Sequence, residues 1–388
     1  MELGISLASF TARPGAGAAR HLVAMARAAA DGGLATLSLG DQHLVGAGAG
    51  YFQNTPALGR LLAEWSSTGR PAGCLFLLPM WSPVLVAEQV GTLAALHDGP
   101  FVVQTGIGGS PHQFAALGAS TEHRVSVFEE GVRVVQALLA GETVSSERFG
   151  FTDVSIGLVP ERPIEWWMGT ANPAGLRRAA RFGAAWYAFP SADSAVFDEH
   201  AAVYREACAE YGTEPRIHMR RDVMVLADGD EAERLGSGLI ELGYRGQQRN
   251  QIDCGTPDQV AESLAVWAER GVDQIVTRTM GASDPTSRRS GTWPRSRGSL
   301  PDSTRSAAGA DGLAEHGAAD GGEDHEAGVP GVHRVAPGAG DHADHDRTGH
   351  GDPHHEQPGT RVDLHDASLP RRRLRSRPTA VSHCYRSR

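Results

Sequence analysis

The sequence predicts an α/β protein, a parallel (β/α)8 TIM barrel whose last helix is atypical or missing, followed by a disordered C-terminal tail. Three observations carry this reading. Eight strand-like runs alternate with helical ones through residues 1–282, and eight is the number that closes a barrel of this kind. The same region is rich in Leu, Val, Ala and Gly, with aromatic residues spread through it, enough to bury one large core. From residue 283 the chain has no Phe, Ile or Met, only Trp293 and Tyr385 as aromatics, and ten of the seventeen histidines.

The elements follow in order. A first strand over 4–10 leads to an Ala-rich helix over 18–31, and a second strand over 37–40 runs into Asp41-Gln42-His43. A helix over 56–66, a third strand over 73–78 and a long amphipathic helix over 83–96 come next. The fourth strand, 101–105, ends in Gly106-Ile107-Gly108-Gly109-Ser110, and a helix over 123–140 precedes an irregular insertion at 141–162. Residues 164–168 form a bulky apolar fifth strand that Gly169-Thr170 breaks. Asn172 suits an N-cap and Pro173 the first helical position, so a helix starts there. Leu176, Ala179 and Ala180 share one face of it, Arg177, Arg178 and Arg181 lie mostly on the other, and Gly183 ends it before a sixth strand at 184–189. A helix over 197–211, a seventh strand over 218–227, helices over 230–242 and 257–270 and an eighth strand over 274–279 complete the alternation. The closing helix should follow Met280-Gly281, but residues 283–291 are polar and contain Pro285. A doubly wound open sheet is the competing architecture; its Gly-x-Gly-x-x-Gly turn after strand one and ribose-binding acid after strand two are both missing.

Residues 283–388 form a second, low-complexity unit. Dense Gly, Pro, Ser, Asp and Arg with almost no large apolar side chains cannot offset the entropy of ordering, hence the expectation of disorder. The Arg, Gly, Pro, His and Asp bias resembles a GC-rich gene read in the wrong frame, which points to a frameshift near codon 283.

A formal net charge of −10 argues against a general nucleic-acid binder, and the one concentrated basic run, 371–377, lies in the tail. No apolar run approaches the roughly 20 residues of a membrane helix, and no signal peptide is evident, so a cytoplasmic protein without membrane partners is expected. Cys74, Cys208, Cys254 and Cys384 stand apart without metal spacing, which fits a reducing compartment. Every basic residue is Arg, which excludes Schiff-base and P-loop lysine chemistry.

In a parallel barrel the ligand site is built at the C-terminal ends of the strands. Strand two places Asp41 and His43 there, a carboxylate and an imidazole able to bind a polar ring edge or move a proton, or simply to cap a loop. Strand four offers Gln104 and Thr105 before the turn with Gly106 and Gly108, against whose backbone a flat ligand or a phosphate can lie. Strand five offers Glu165 and the turn Gly169-Thr170-Ala171-Asn172, where a helix N-terminus favours a phosphate. Of the adjacent pairs Arg220 and Arg221, and Thr277 and Arg278, alternation lets only one of each face inward. Residues 1–282 contain no nucleophile elbow, no paired cysteines and no metal spacing, so a bound organic cofactor is left to supply the chemistry.

Several ordered motifs resemble one family. V-V-Q-T-G-I-G-G-S-P-H-Q-F-A-A-L-G at 102–118, followed by Glu122, Arg124 and Glu129-Glu130, is similar to the glycine loop and E-x-R…E segment of the bacterial luciferase-like flavin oxidoreductases. P-I-E-W-W-M-G-T-A-N-P-A-G-L-R-R-A-A-R at 163–181 looks like their fifth-strand segment, and 37–44, 77–93 and 254–264 match further stretches, so the resemblance covers about 1–282. It implies a barrel monooxygenase or hydride-transfer enzyme acting on a small organic substrate, often a homodimer. The cofactor would be FMN, with a flavin reductase as partner, or the deazaflavin F420. Carried over, Asp41 and His43 fall at the flavin edge and active site, Thr105 and Gly106 beside the ring and phosphate tail, and Gly169, Thr170 and Ala171 at the phosphate. Two positions depart from the pattern: His97-Asp98-Gly99-Pro100 replaces a motif with an arginine, and Trp81 stands where an arginine is frequent. A non-catalytic flavin-binding relic is the alternative that the missing helix suggests.

Overall fold

The structure is a computed structural model, and it describes residues 1–7, 10–11, 15–45, 50–189 and 194–280. The expected closing helix and tail lie outside the described residues. Eight parallel strands close on themselves: β1 Glu2–Leu7, β2 Leu37–Leu39, β3 Ala72–Leu77, β4 Phe101–Gly106, β5 Glu165–Gly169, β6 Ala185–Ala188, β7 Ile217–Val225 and β8 Gln274–Thr279. Each pairs with the next, from Ile5 beside Leu37 round to His218 beside Gln274, and Glu2 beside Gln274 seals the ring. This is the (β/α)8 barrel that the alternation predicts.

Helices α1 Ala16–Asp31, α2 Asn54–Trp65, α3 Pro83–Ala95, α4 Arg124–Leu139, α5 Pro173–Arg181, α6 Ser194–Tyr211, α7 Gly229–Glu241 and α8 Pro257–Glu269 connect them. Local chemistry sets their starts. Pro83, Pro173 and Pro257 occupy first positions, where the missing N–H is no loss; Asn172 caps α5, Asp228 caps α7, and Thr256 with Gln259 forms a capping box on α8. None of the described helices is long and apolar enough to cross a membrane.

Among the described residues the buried apolar side chains form three clusters, one of them Met224, Ala232, Ile252 and Met280 around the strand Ile252–Gly255, and strand alternation separates the other two. Val102, Trp167, Ala185 and Val276 form a small cluster inside the barrel. Their chain neighbours Val103, Trp166, Met168, Trp186 and Ile275 point the other way, into the large shell between strands and helices. The shell includes fully buried Trp65, Phe76, Phe128, Phe197 and Tyr204, each worth about 1.5–3 kcal/mol on transfer from water.

Three details differ from the sequence expectation. The first strand ends at Leu7, and Phe10–Thr11 instead pairs antiparallel with Gly50–Tyr51. The insertion contains a hairpin, Val144–Ser146 with Phe151–Val154. A ninth parallel strand, Ile252–Gly255, lies where the sequence reading had only a connection between helices. The reason is the nine-residue length of β7: β6 pairs only with Ile217 to Met219, so Asp222 to Val225 would present a bare edge on that side, and Ile252–Gly255 fills it.

Candidate active site

Asp41 follows β2, and its side chain is wholly buried. Its Oδ2 accepts from the backbone N–H of Leu77 and from the indole N–H of Trp81, each at 2.8 Å. A carboxylate can be buried here because two donors replace the lost water. Its Oδ1 lies 3.1 Å from Nε2 of His43, at an angle short of a hydrogen bond. The backbone carbonyl of His43 accepts from Nε2 of Gln113 at 3.0 Å and of Gln42 at 3.3 Å, and its ring sits 5.6 Å from that of Trp81. Trp81 in turn meets Phe76 edge-on at 5.4 Å. The pair is therefore held by β3 and by Gln113 on the short helix Pro111–Ala116 after β4. With Nε2 turned to the carboxylate, Nδ1 is the nitrogen left for a ligand or a proton.

At the end of β4, Thr105 is buried and its Oγ1 donates to the carbonyl of Trp167 at 3.2 Å, so its hydroxyl is not free for a ligand. Gly106 is the inward-facing neighbour, where a Cβ would come 3.1 Å from Leu77 Cδ2. Gly108 has φ +73° and is wedged between Met80 and Phe114, so a side chain would be both strained and crowded.

At the end of β5, Gly169 is half-buried and Ala171 and Asn172 are exposed. Oδ1 of Asn172 accepts the N–H of Gly175 at 2.8 Å, as the sequence suggested. The hydroxyl of Thr170 lies over Gly175, where a Cβ would fall 1.8 Å from Oγ1. The carbonyl of Thr170 is held by the Trp186 indole at 2.9 Å. This leaves the N–H groups of Ala171 and Ala174 without a protein acceptor among the described residues, at the positive end of α5.

The ambiguous pairs resolve by register. Arg221 points outward, its Nε 2.8 Å from Asp253 on the ninth strand and its guanidinium over Trp267. Arg220 and Arg278 face the barrel, as does Asp222, which is directly beside Arg278. Glu165 opens β5, so it sits at the opposite end of the barrel from the site, with Trp167 Nε1 at 2.8 Å, Arg216 Nη1 at 3.0 Å and His218 Nε2 at 3.5 Å. Burial pushes its carboxyl up, but His218, Trp167 and Arg216 outweigh this and hold it below its ordinary value. Sequence reasoning missed Gln113, Tyr51, Tyr187, Asp222 and Tyr244 near the mouth; Asp222 alone carried a signal, as a third charge in Arg-Arg-Asp on one strand.

A barrel with a carboxylate–imidazole pair, glycine turns and an open helix N-terminus at strand C-termini belongs to the ligand-binding α/β barrels. Residues 1–253 match the model of the family described as luciferase-like monooxygenase, and the chain belongs to that family. Among solved structures it resembles the monooxygenase RslO1 from Streptomyces bottropensis, at 23% identity and TM-score 0.62 over 73% of this chain and 94% of that one. It also resembles an F420-dependent secondary alcohol dehydrogenase solved with an F420-acetone adduct, at 16% identity and TM-score 0.61 over 72% and 93%. The FMN-bound oxygenating constituent of 3,6-diketocamphane monooxygenase from Pseudomonas putida is similar at 16% identity and TM-score 0.57 over 74% and 94%. The uncharacterized protein Rv0940c of Mycobacterium tuberculosis is 30% identical over 106 residues, which are 27% of this chain and 37% of that protein. The chain thus matches little more than a third of the length of its curated relatives.

Proposed function

We propose that the protein is a flavin-dependent monooxygenase acting on a small organic substrate with reduced FMN and oxygen. The observation that carries this is the N-terminus of α5: N–H groups of Ala171 and Ala174 that have no acceptor among the described residues, beside Gly169 and Thr170, fit a phosphate. Thr170 and Asn172 shape that turn, Gly106 and Gly108 let the β4 turn lie against a flat ring, and Thr105 supports the turn from beneath through its bond to Trp167. Reduced flavin supplies the electrons for oxygen activation, or a hydride if the cofactor is F420. The chain's own part is to bind and orient. Asp41 lies 3.1 Å from Nε2 of His43 and favours a positive charge on the ring, and His43 holds or moves a proton at Nδ1. Trp81, backed by the buried Phe76, keeps that rim apolar and restricts water. Residues 1–282 would form the catalytic unit, acting as a homodimer supplied by a flavin reductase, with 283–388 outside it.

Asn172→Asp tests the reading, because aspartate still caps α5 but places a negative charge beside the phosphate. FMN affinity should fall at least tenfold while riboflavin, which has no phosphate, is unaffected and the melting temperature holds. Equal FMN affinities would remove the phosphate site. A parallel titration with F420 decides the cofactor: tighter binding of F420 than of FMN replaces oxygen chemistry by hydride transfer.

A further inference from the structure

The β7–β8 side of the barrel mouth contains a charge arrangement that the flavin reading does not use. Arg278 reaches from β8 toward β1 and β2: Nη2 donates to Ser6 Oγ at 3.2 Å and lies 3.4 Å from where a Cβ of Gly40 would be, next to Asp41. Its Nε is buried without a hydrogen-bond partner among the described residues. Burial opposes its charge, but Asp222 foremost, then Tyr244, Tyr51 and Tyr187, keep its pKa above the ordinary value, so it stays a cation.

Asp222 does not satisfy this guanidinium by itself. Oδ2 accepts from Tyr244 at 3.2 Å and from Gln247 at 3.3 Å, and Oδ1 is 3.3 Å from Nε of Arg220. The Arg220 Nε is likewise buried and unbonded among the described residues. Asp41, the other carboxylate nearby in sequence to this corner, is turned to Leu77 and Trp81. Among the described residues two guanidinium groups thus face one carboxylate, and the buried atoms here that lack a hydrogen bond to a described residue are Nε of both arginines, Oδ1 of Asp222 and Oε1 of Gln247. An enclosed donor is ordinarily bonded. An acceptor that reaches both unbonded Nε–H groups would complete this corner, and a planar carboxylate matches the guanidinium fork. The Tyr51 hydroxyl, like Arg278 Nη2, lies 3.4 Å from where a Cβ of Gly40 would be, and Tyr187 meets Trp167 at 5.5 Å between ring centres, so the corner contains aromatic side chains.

The geometry points to a substrate-anchoring subsite: Arg278, backed by Arg220 and Asp222, takes the carboxylate of a flat organic acid, whose body then lies beside the Asp41–His43 pair. This rests on the proposed function for the identity of the neighbouring cofactor site, but the subsite is testable without turnover. The full-length protein is titrated with two acid–amide pairs, benzoate against benzamide and 1-naphthoate against 1-naphthamide, by tryptophan fluorescence and calorimetry. The wild type should bind each acid at least tenfold tighter than its amide. Arg278→Gln should abolish the preference, Arg278→Lys should retain part of it, and Arg60→Gln, on the exposed face of α2, should leave it intact. FMN or F420 titrations run alongside separate the two readings, since Arg278→Gln should leave cofactor affinity unchanged. Equal binding of acid and amide, no binding of either acid, or a preference that survives Arg278→Gln overturns the subsite. Loss of cofactor binding in the wild type with the acid preference intact overturns the flavin reading and leaves the subsite standing.

Discussion

Oδ2 of Asp41 is shared between the Leu77 N–H and the Trp81 indole, while Oδ1 turns to Nε2 of His43, 3.1 Å away. One buried carboxylate therefore ties the strand-two imidazole to strand three. Asp41→Asn keeps the shape but gives up one charged acceptor, and an amide N–H must then confront one of the donors. Turnover should fall by about 10²–10⁴ if His43 moves a proton, with a stability loss of about 1–3 kcal/mol. Trp81→Phe should cost stability in the same range but less activity, because the Leu77 N–H still holds Oδ2. Steady-state kinetics together with urea melts check both.

Gly175→Ala tests how tightly the proposed phosphate turn is built. The new Cβ would fall 1.8 Å from Thr170 Oγ1 and 3.3 Å from the Asn172 cap oxygen, so Thr170 must move. Overpacking of this kind costs about 1–3 kcal/mol, and FMN affinity should drop with it. Gly238→Ala, with nothing within 4 Å of the added methyl, is the control and should be neutral or slightly stabilising.

Arg221 and Asp253 pair at 2.8 Å with both side chains almost fully buried, and Ser263 also donates to Asp253. This pair clamps the ninth strand and α8 to β7. Arg221→Met leaves the carboxylate uncompensated and should destabilise by about 3–5 kcal/mol. The double variant with Asp253→Leu should recover much of that loss. Thermal melts of the four-member cycle give the coupling.

His97 gives an acid-side signature. Its Nε2 is 2.9 Å from the Arg70 carbonyl, and burial, the largest influence, lowers its pKa from the ordinary 6.5. The unfolded chain then binds the proton more readily than the folded one between 6.5 and the lowered value. Stability is therefore fully present above 6.5 and is lost as pH falls through that window. Chemical melts from pH 8 to 5 should show a smaller acid loss in His97→Gln than in the wild type.

Much of the barrel was legible because strand and helix periods are written locally. The run at 164–189 showed strand, turn, capped helix and strand, and the structure has β5, α5 and β6 there with Asn172 capping. Asp41, His43 and the glycine turns could be placed at strand ends for the same reason. The ninth strand was not legible, since Ile-Asp-Cys-Gly becomes a strand only because β7 outruns β6 and exposes an edge. Trp81 read as an apolar departure at the rim; its role as a donor to Asp41 spans 40 residues of separation and has no local trace.

The sequence by itself determined the eight-fold alternation, the helix starts and the set of polar residues that end each strand, because propensity, capping and period act over a few neighbours. Only the tertiary structure decided which of those residues meet. Alternation left Arg220 or Arg221, and Thr277 or Arg278, open; strand register turned Arg220 and Arg278 inward beside Asp222 and sent Arg221 out to Asp253. The physical reason is that closing a parallel barrel brings Ser6 to Arg278, 272 positions away, and no local preference encodes that distance.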